Sequence, residues 1–344
     1  MNINTIPVFV GLDYHMNSVQ VCVISERGDM LANRSCANDW QALVQAVGGP
    51  DVSVRAAIES CAGAANLAEQ LVSLAGWSVD LAHPGYVRRM KQNPDKTDYS
   101  DARMLADLER VGYLPRVWLA PECIRELRKL VRYRQQLVNE VKSAKMRVKA
   151  ILREQRLVAS NQAGGRWTRR WIVWLRQAEG LGEQSRWIVD RHLDRLAALA
   201  VEIGQVQQRL HHLTKDDPVV IHLRAQPGIG PVTSWVMRAA IGRFDRFRCG
   251  KQLSRFCGLS PRNNSSGEKQ AQGGLIKAGD DLLRCTLIQV GHRLIRHEPR
   301  WRALAMKMRS TGKPACVTVA AIVNRWMRRL FHELKETSTM TRTA

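Results

Sequence analysis

The chain has 344 residues, 45% of them apolar, with 53 Lys and Arg against 31 Asp and Glu for a formal net charge of +22. That length supports two domains and a sizeable core, and so large a positive excess suits a polyanionic partner, nucleic acid before any other. No apolar run approaches the roughly 18 residues of a membrane span, the first residues lack a signal-peptide pattern, and eight scattered cysteines with no CxxC pair argue against a disulfide scaffold or a zinc finger.

The first third alternates strands and helices. Val8 to Asp13 is an apolar strand ending in an acid, Val19 to Ser25 alternates, and the turn Glu26-Arg27-Gly28-Asp29 leads into Met30 to Asn33. This predicts a three-stranded meander. Asp39 is placed to cap a helix ending before Gly48-Gly49-Pro50. Val52 to Ile58 reads as a fourth strand with Glu59 at its end, Ala64 to Ala75 as a helix stopped by Gly76, and Ser78 to Ala82 as a fifth strand. Three hairpin strands followed by alternating helix and strand is the order of an α/β RNase H-like fold.

After Asn93-Pro94 a helix is predicted from about Asp98 to Val111, stopped by Gly112. Pro121 opens a long helical stretch. Its Ile124, Leu127, Val131, Val138, Val141, Val148 and Leu152 recur at helical steps while Arg, Lys and Gln crowd the other positions, which predicts a coiled-coil arm. Beyond a break near Ala163-Gly164-Gly165, a second helical run from about Gln184 to Leu213 is expected to fold back on the first. The remainder is helical and basic, with a polar loop at Pro261 to Gly274. The expected division is 1–112 for the catalytic domain, 113–215 for the helical coiled-coil arm and 216–344 for a mostly α-helical C-terminal domain.

Four carboxylates stand out. Asp13 and Glu59 end the first and fourth strands, which are neighbours in an RNase H-like sheet. Asp98 and Asp101 are three apart and share a helix face. Four acids converging in a strongly basic chain repel one another unless a divalent cation sits among them. Mg²⁺ prefers such oxygen ligands, and a pair of ions there suits phosphodiester chemistry. Each acid also has a plain reading: Asp13 as a turn former, Glu59 as a solvated charge, Asp98 as a helix cap with Asp101 in the first turn. Asp95, Asp107 and Glu109 are read as surface charges.

The segments VFVGLDYHMNSVQVCVI, AAIESCAGAANLAEQL and KQNPDKTDYSDARMLADL resemble the D, E, D, D motifs of the DEDD transposases of the insertion-sequence 110 family, bridge-RNA-guided recombinases related to the Piv/MooV DNA invertases. QPGIGPVTSWVMRAAIG and FCGLSPRNNSSGEKQAQGGLIKAGDDLLRCTLIQVGH resemble the second domain of that family. The resemblance covers nearly the whole chain, least of all 167–213. It implies a RuvC-like first domain holding Mg²⁺ through Asp13, Glu59, Asp98 and Asp101, and a C-terminal transposase domain with a nucleophilic serine at Ser266. It further implies a structured non-coding guide RNA (bridge RNA), donor and target DNA, a homo-oligomer built as a dimer of dimers in which one protomer's serine completes another's acidic site, and a cytoplasmic, nucleoid-associated bacterial enzyme with no membrane partner.

Serine attacks phosphorus only when its proton is removed or its oxygen sits on a metal. Asn263-Asn264-Ser265-Ser266-Gly267 is also an ideal turn sequence, and Ser265 stands beside Ser266 as the alternative nucleophile. Gly228 and Gly230, in Pro227-Gly228-Ile229-Gly230-Pro231, resemble a helix-hairpin-helix turn that lets backbone N–H groups approach a phosphate; a plain helix–helix turn fits equally. Arg88, Arg89 and Lys91 before the acidic helix, and Lys269, Lys277 and Arg284 around the serine loop, are candidates for phosphate contact, with a solvated face as the alternative. Trp167, Trp171 and Trp174 fall on one helical face, read as a buried stripe with basic flanks in preference to a base-stacking platform. Two other functions stand beside strand exchange: a RuvC-like nuclease or resolvase that uses the acids and water alone, and a non-catalytic nucleic-acid-binding protein.

Overall fold

The computed structural model describes residues 7–91, 97–159, 164–263, 272–276 and 279–340. The chain divides into two compact units, 1–121 and 122–344.

The first unit is a six-stranded sheet with helices on both faces. Strands β1 (Val8–Tyr14), β2 (Ser18–Ile24) and β3 (Met30–Ala37) form the antiparallel meander; α1 (Trp40–Val47), β4 (Val54–Glu59), α2 (Ala64–Ala75), β5 (Ser78–Ala82), α3 (Pro84–Met90), α4 (Asp98–Arg110) and β6 (Arg116–Val117) follow. The sheet order is β3-β2-β1-β4-β5-β6, with β1 parallel to β4 and β4 parallel to β5. Asp39 caps α1 as expected, its carboxylate accepting from Ala42 N–H at 3.1 Å. The short helix α3 and the edge strand β6 are elements that the sequence reading did not propose.

Strand alternation sorts side chains between the two faces. Val10 and Leu12 of β1 and Ala56 and Ile58 of β4 pack with Leu43 of α1 and with Leu67 and Leu71 of α2. Phe9 faces the other way, against Ala102 and Ala106 of α4, and Ala57 packs with Leu105. A fully buried Leu or Phe contributes about 1.5–3 kcal/mol, so these two layers hold the sheet rigid beneath the acids. Glu109 was expected on the surface. It is 1% exposed, lies on the buried stripe of α4, and pairs with Arg55 at 2.7 Å and Arg116 at 3.0 Å. A carboxylate is tolerated at that depth because two guanidinium groups meet it.

The second unit is mostly helical. Helices α5 (Glu122–Glu154) and α7 (Glu183–Thr214) run antiparallel, since Tyr133 donates to Glu202 while Glu140 pairs with Arg195. The short α6 (Arg169–Gln177) packs at the far end of that pair, where Val148, Leu152, Trp171, Leu175, Val189 and Leu193 share a core. The first half of α5 is no free-standing arm: Leu127, Val131 and Leu137 join a larger core. That core is completed by α8 (Pro218–Ala225), α9 (Pro231–Ile241), α10 (Gly250–Phe256), α11 (Asp281–His297), α12 (Pro299–Ser310) and α13 (Ala315–Met340). The expected polar loop at 261–274 begins and ends in short strands, β7 (Pro261–Asn263) and β8 (Gln272–Leu275), paired antiparallel. No helix among the described residues is long and apolar enough to cross a membrane.

Candidate active site

Asp13 and Glu59 lie on one face of the sheet because the register requires it. Leu12 pairs with Ile58 in the parallel ladder, so the next residue on each strand is an acid, and both follow the side that carries Phe9 and Ala57. Helix α4 crosses this face over β1, β2 and β4. Thr97, not Asp98, caps it, its hydroxyl accepting from Ser100 N–H at 3.2 Å. Asp98 is therefore free of the capping role and stands in the first turn with Asp101, where the helix dipole favours negative charge.

The donor atoms of Asp13, His15 and Asp98 lie within 4.8 Å of one another, the one such trio of His, Cys, Asp or Glu among the described residues. His15 Nε2 is 3.1 Å from Asp98 and 3.5 Å from Asp13. Sequence reading passed over His15. The signal was present, since residues two apart at a strand end face the same side. Asp101, 8% exposed, turns its carboxylate to Lys91 Nζ at 2.6 Å. Glu59 is half-buried. Burial pushes the Asp13 carboxyl above the usual carboxylate range; His15 pulls it down, and the charges of Asp98, Asp101 and Glu59 push it further up. Asp13, His15 and Asp98 are thus a donor set that fits a divalent cation, whereas the Asp101 carboxylate is held by Lys91 and neither it nor Glu59 joins that trio.

The other candidates are spread more widely. Arg88 and Arg89 end α3 and are exposed, with Arg89 lying over the Tyr86 ring. Gly228, at φ +77°, sits in the turn before α9 and its carbonyl accepts from Arg293; Gly230 is the N-cap of α9. Arg284 is largely buried on α11, paired with Asp281, and its Nη1 has no hydrogen-bond partner among the described residues. Ser265, Ser266, Lys269 and Lys277 lie outside the described residues.

Two family models match the chain. The DEDD model of the IS110 type, described as Transposase, matches residues 10–156, which contain all four acids. The model described as Transposase IS116/IS110/IS902 family matches residues 221–306. The chain belongs to the IS110-type DEDD transposases. The transposase is 24% identical to the transposase for insertion sequence element IS1111A of Coxiella burnetii, over 90% of this chain and 86% of the relative. It is 28% identical to a probable family 20 transposase of Pseudomonas aeruginosa, over 78% and 80%, and 25% identical to the transposase for insertion sequence element IS1328 of Yersinia enterocolitica, over 81% of each. As a transposase it is an enzyme whose substrate is DNA, and the acid face of the first unit lies inside the matched DEDD segment.

Proposed function

We propose that this transposase cuts and exchanges DNA strands in an RNA-guided, Mg²⁺-dependent reaction, with Asp13, Glu59, Asp98 and Asp101 as metal ligands and Ser266 as nucleophile. The observation that carries the reading is the register that places Asp13 beside Glu59 under the helix bearing Asp98 and Asp101. The sheet order supports an RNase H-like, RuvC-like fold for the first unit, with the transposase domain in the second unit. Bound at the acids, Mg²⁺ supplies Lewis-acid polarisation of the scissile phosphate and neutralises charge on the leaving oxygen. Asp13 and Glu59 fix the site to the sheet, and Asp98 and Asp101 close it from the helix. Ser266 Oγ attacks phosphorus, its proton passes to a base and the deoxyribose oxygen leaves, so that the phosphoserine conserves the bond for rejoining without ATP.

Sequence choice falls to a structured guide RNA paired with donor and target DNA, while the +22 charge supplies salt-dependent affinity for phosphates. The enzyme works as a dimer of dimers in the cytoplasm, on nucleoid DNA, with the serine of one protomer serving the acids of another. The test is to trap protein on DNA. A covalent adduct that forms with the natural chain and disappears in Ser266→Ala supports the reading; cleavage without an adduct overturns it in favour of a water-using nuclease. Co-expressed Ser266→Ala and Asp13→Ala chains are expected to recover part of the activity that each lacks alone. RNA co-purifying with the protein, sequenced and shown to complement donor and target, tests the guide.

A further inference from the structure

At the far end of the α5–α7 pair lies a cavity of about 920 Å³, within the size range of small-ligand sites. Lys145, Lys149 and Arg153 of α5 line one side, and the indoles of Trp167, Trp171 and Trp174 line another; among the described lining residues there is no Asp or Glu. None of these three cations belongs to an ion pair among the described residues, so their charge is directed to the cavity and solvent. Lys145 Nζ lies 5.1 Å from the centre of the Trp167 ring. The indoles form a tilted series, with centroids 4.7 Å apart from Trp167 to Trp171 and 5.9 Å from Trp171 to Trp174.

The stripe is only partly the buried one expected from sequence. Trp171 is 3% exposed and anchors the local core, whereas Trp167 and Trp174 are half-buried and keep ring surface toward the cavity. The Trp171 Nε1–H is buried and has no hydrogen-bond partner among the described residues, an arrangement that is destabilising unless a ligand accepts from it. Trp167, at φ +68°, and Arg156, at φ +52°, also line the cavity and are the described non-glycine residues with positive φ. Strain of that kind is retained where surrounding structure over-determines a position, and it gathers at ligand sites.

We propose that this cavity binds an unpaired nucleotide of a single-stranded nucleic acid. Its base packs on the exposed indole surface, an acceptor on the base edge takes the Trp171 N–H, and the neighbouring phosphates rest on the α5 cations. Cations alone would grip any polyanion, duplex included. The aromatic wall and the orphan donor need a base whose face and edge are free, which a duplex does not offer. The inference rests on the transposase family and not on the guide RNA, since a displaced DNA strand presents the same base and phosphate chemistry as RNA.

The experiment measures affinity of the full-length protein for oligo-dT, oligo-rU and duplex DNA at fixed salt. Trp167→Ala is expected to weaken both single strands roughly tenfold while leaving duplex affinity unchanged. Trp171→Phe keeps the ring and the fold but removes the donor, and it is expected to weaken single strands several-fold with an unaltered circular dichroism spectrum. Tighter binding of oligo-rU assigns the site to RNA, and of oligo-dT to a displaced DNA strand; both uphold it. Equal losses for duplex and single strands in Trp167→Ala, no loss in either variant, or preferential binding of this region to phosphatidylglycerol vesicles overturns it.

Discussion

Gly11 of β1 lies directly against the backbone of Ala102 in α4. A Cβ at position 11 would collide with the Ala102 carbonyl and stand 2.6 Å from Ala106 N, both backbone atoms. This contact sets the height of α4 above the sheet, and with it the distance from Asp98 and Asp101 to Asp13. Gly11→Ala is expected to cost about 3 kcal/mol, the upper range for overpacking. DNA cleavage should fall by about a hundredfold, as a misplacement near 1 Å does in other sites. Urea denaturation and single-turnover cleavage measure the two effects; a variant with natural stability and activity would show that the helix is not held by this contact.

Glu109 is the one fully buried member of its ion group, while the side chains of Arg55 and Arg116 stay 42% and 45% exposed. Removing both arginines strands a buried charge, at about 3–5 kcal/mol. Glu109→Gln leaves two guanidinium groups that water can still reach, at about 2 kcal/mol. Thermal unfolding of the two variants is expected to rank in that order.

His15 touches both Asp13 and Asp98 and holds their relative orientation. Groups that orient metal ligands typically carry a 10- to 100-fold effect on metal affinity. His15→Ala should raise the Mg²⁺ or Mn²⁺ concentration needed for half-maximal cleavage by about that factor, with little change in Tm because the side chain is exposed. Mn²⁺ titration followed by electron paramagnetic resonance reads the affinity without relying on turnover.

Asp13 binds its proton more tightly in the folded chain than in the unfolded one, where the ordinary value is 3.8. Above 3.8 the native state therefore holds more protons, and stability falls as pH rises through the raised folded value. The deficit persists at neutral pH and vanishes below 3.8, where both states are protonated. In chelator, Asp13→Asn is expected to unfold at a higher temperature than the natural chain at pH 7, with the gap closing in acid. Added Mg²⁺ should stabilise only the natural chain.

Cysteine reactivity separates along similar lines. Cys249 is exposed at the N-terminus of α10, where N–H groups of Gln252 and Lys251 lower its thiol pKa. Burial pushes Cys22 up to about 11 and Cys257 higher still. Iodoacetamide near pH 8 should label Cys249 roughly tenfold faster than either buried thiol, as read by peptide mass spectrometry.

The first five strands, the long helices and the order of the four acids were legible in the sequence because each rests on local pattern. An apolar run marks β1, alternation marks β2, a 3.6-residue period marks α5 and α7, and a parallel register makes Asp13 and Glu59 neighbours once β1 and β4 are adjacent. Tertiary structure alone decided the rest. Thr97 caps α4 where Asp98 was a candidate, and Glu109 is buried because α4 lies close enough to Gly11 to bring it over Arg55. His15 joins the acids only when the start of α4 reaches the end of β1. The tryptophan stripe becomes a cavity wall because α6 packs across the α5–α7 pair, burying Trp171 while its neighbours stay partly open. A local period says which face of a helix is apolar; how much of that face is covered depends on elements distant in sequence, whose approach is set by contacts as small as a missing Cβ.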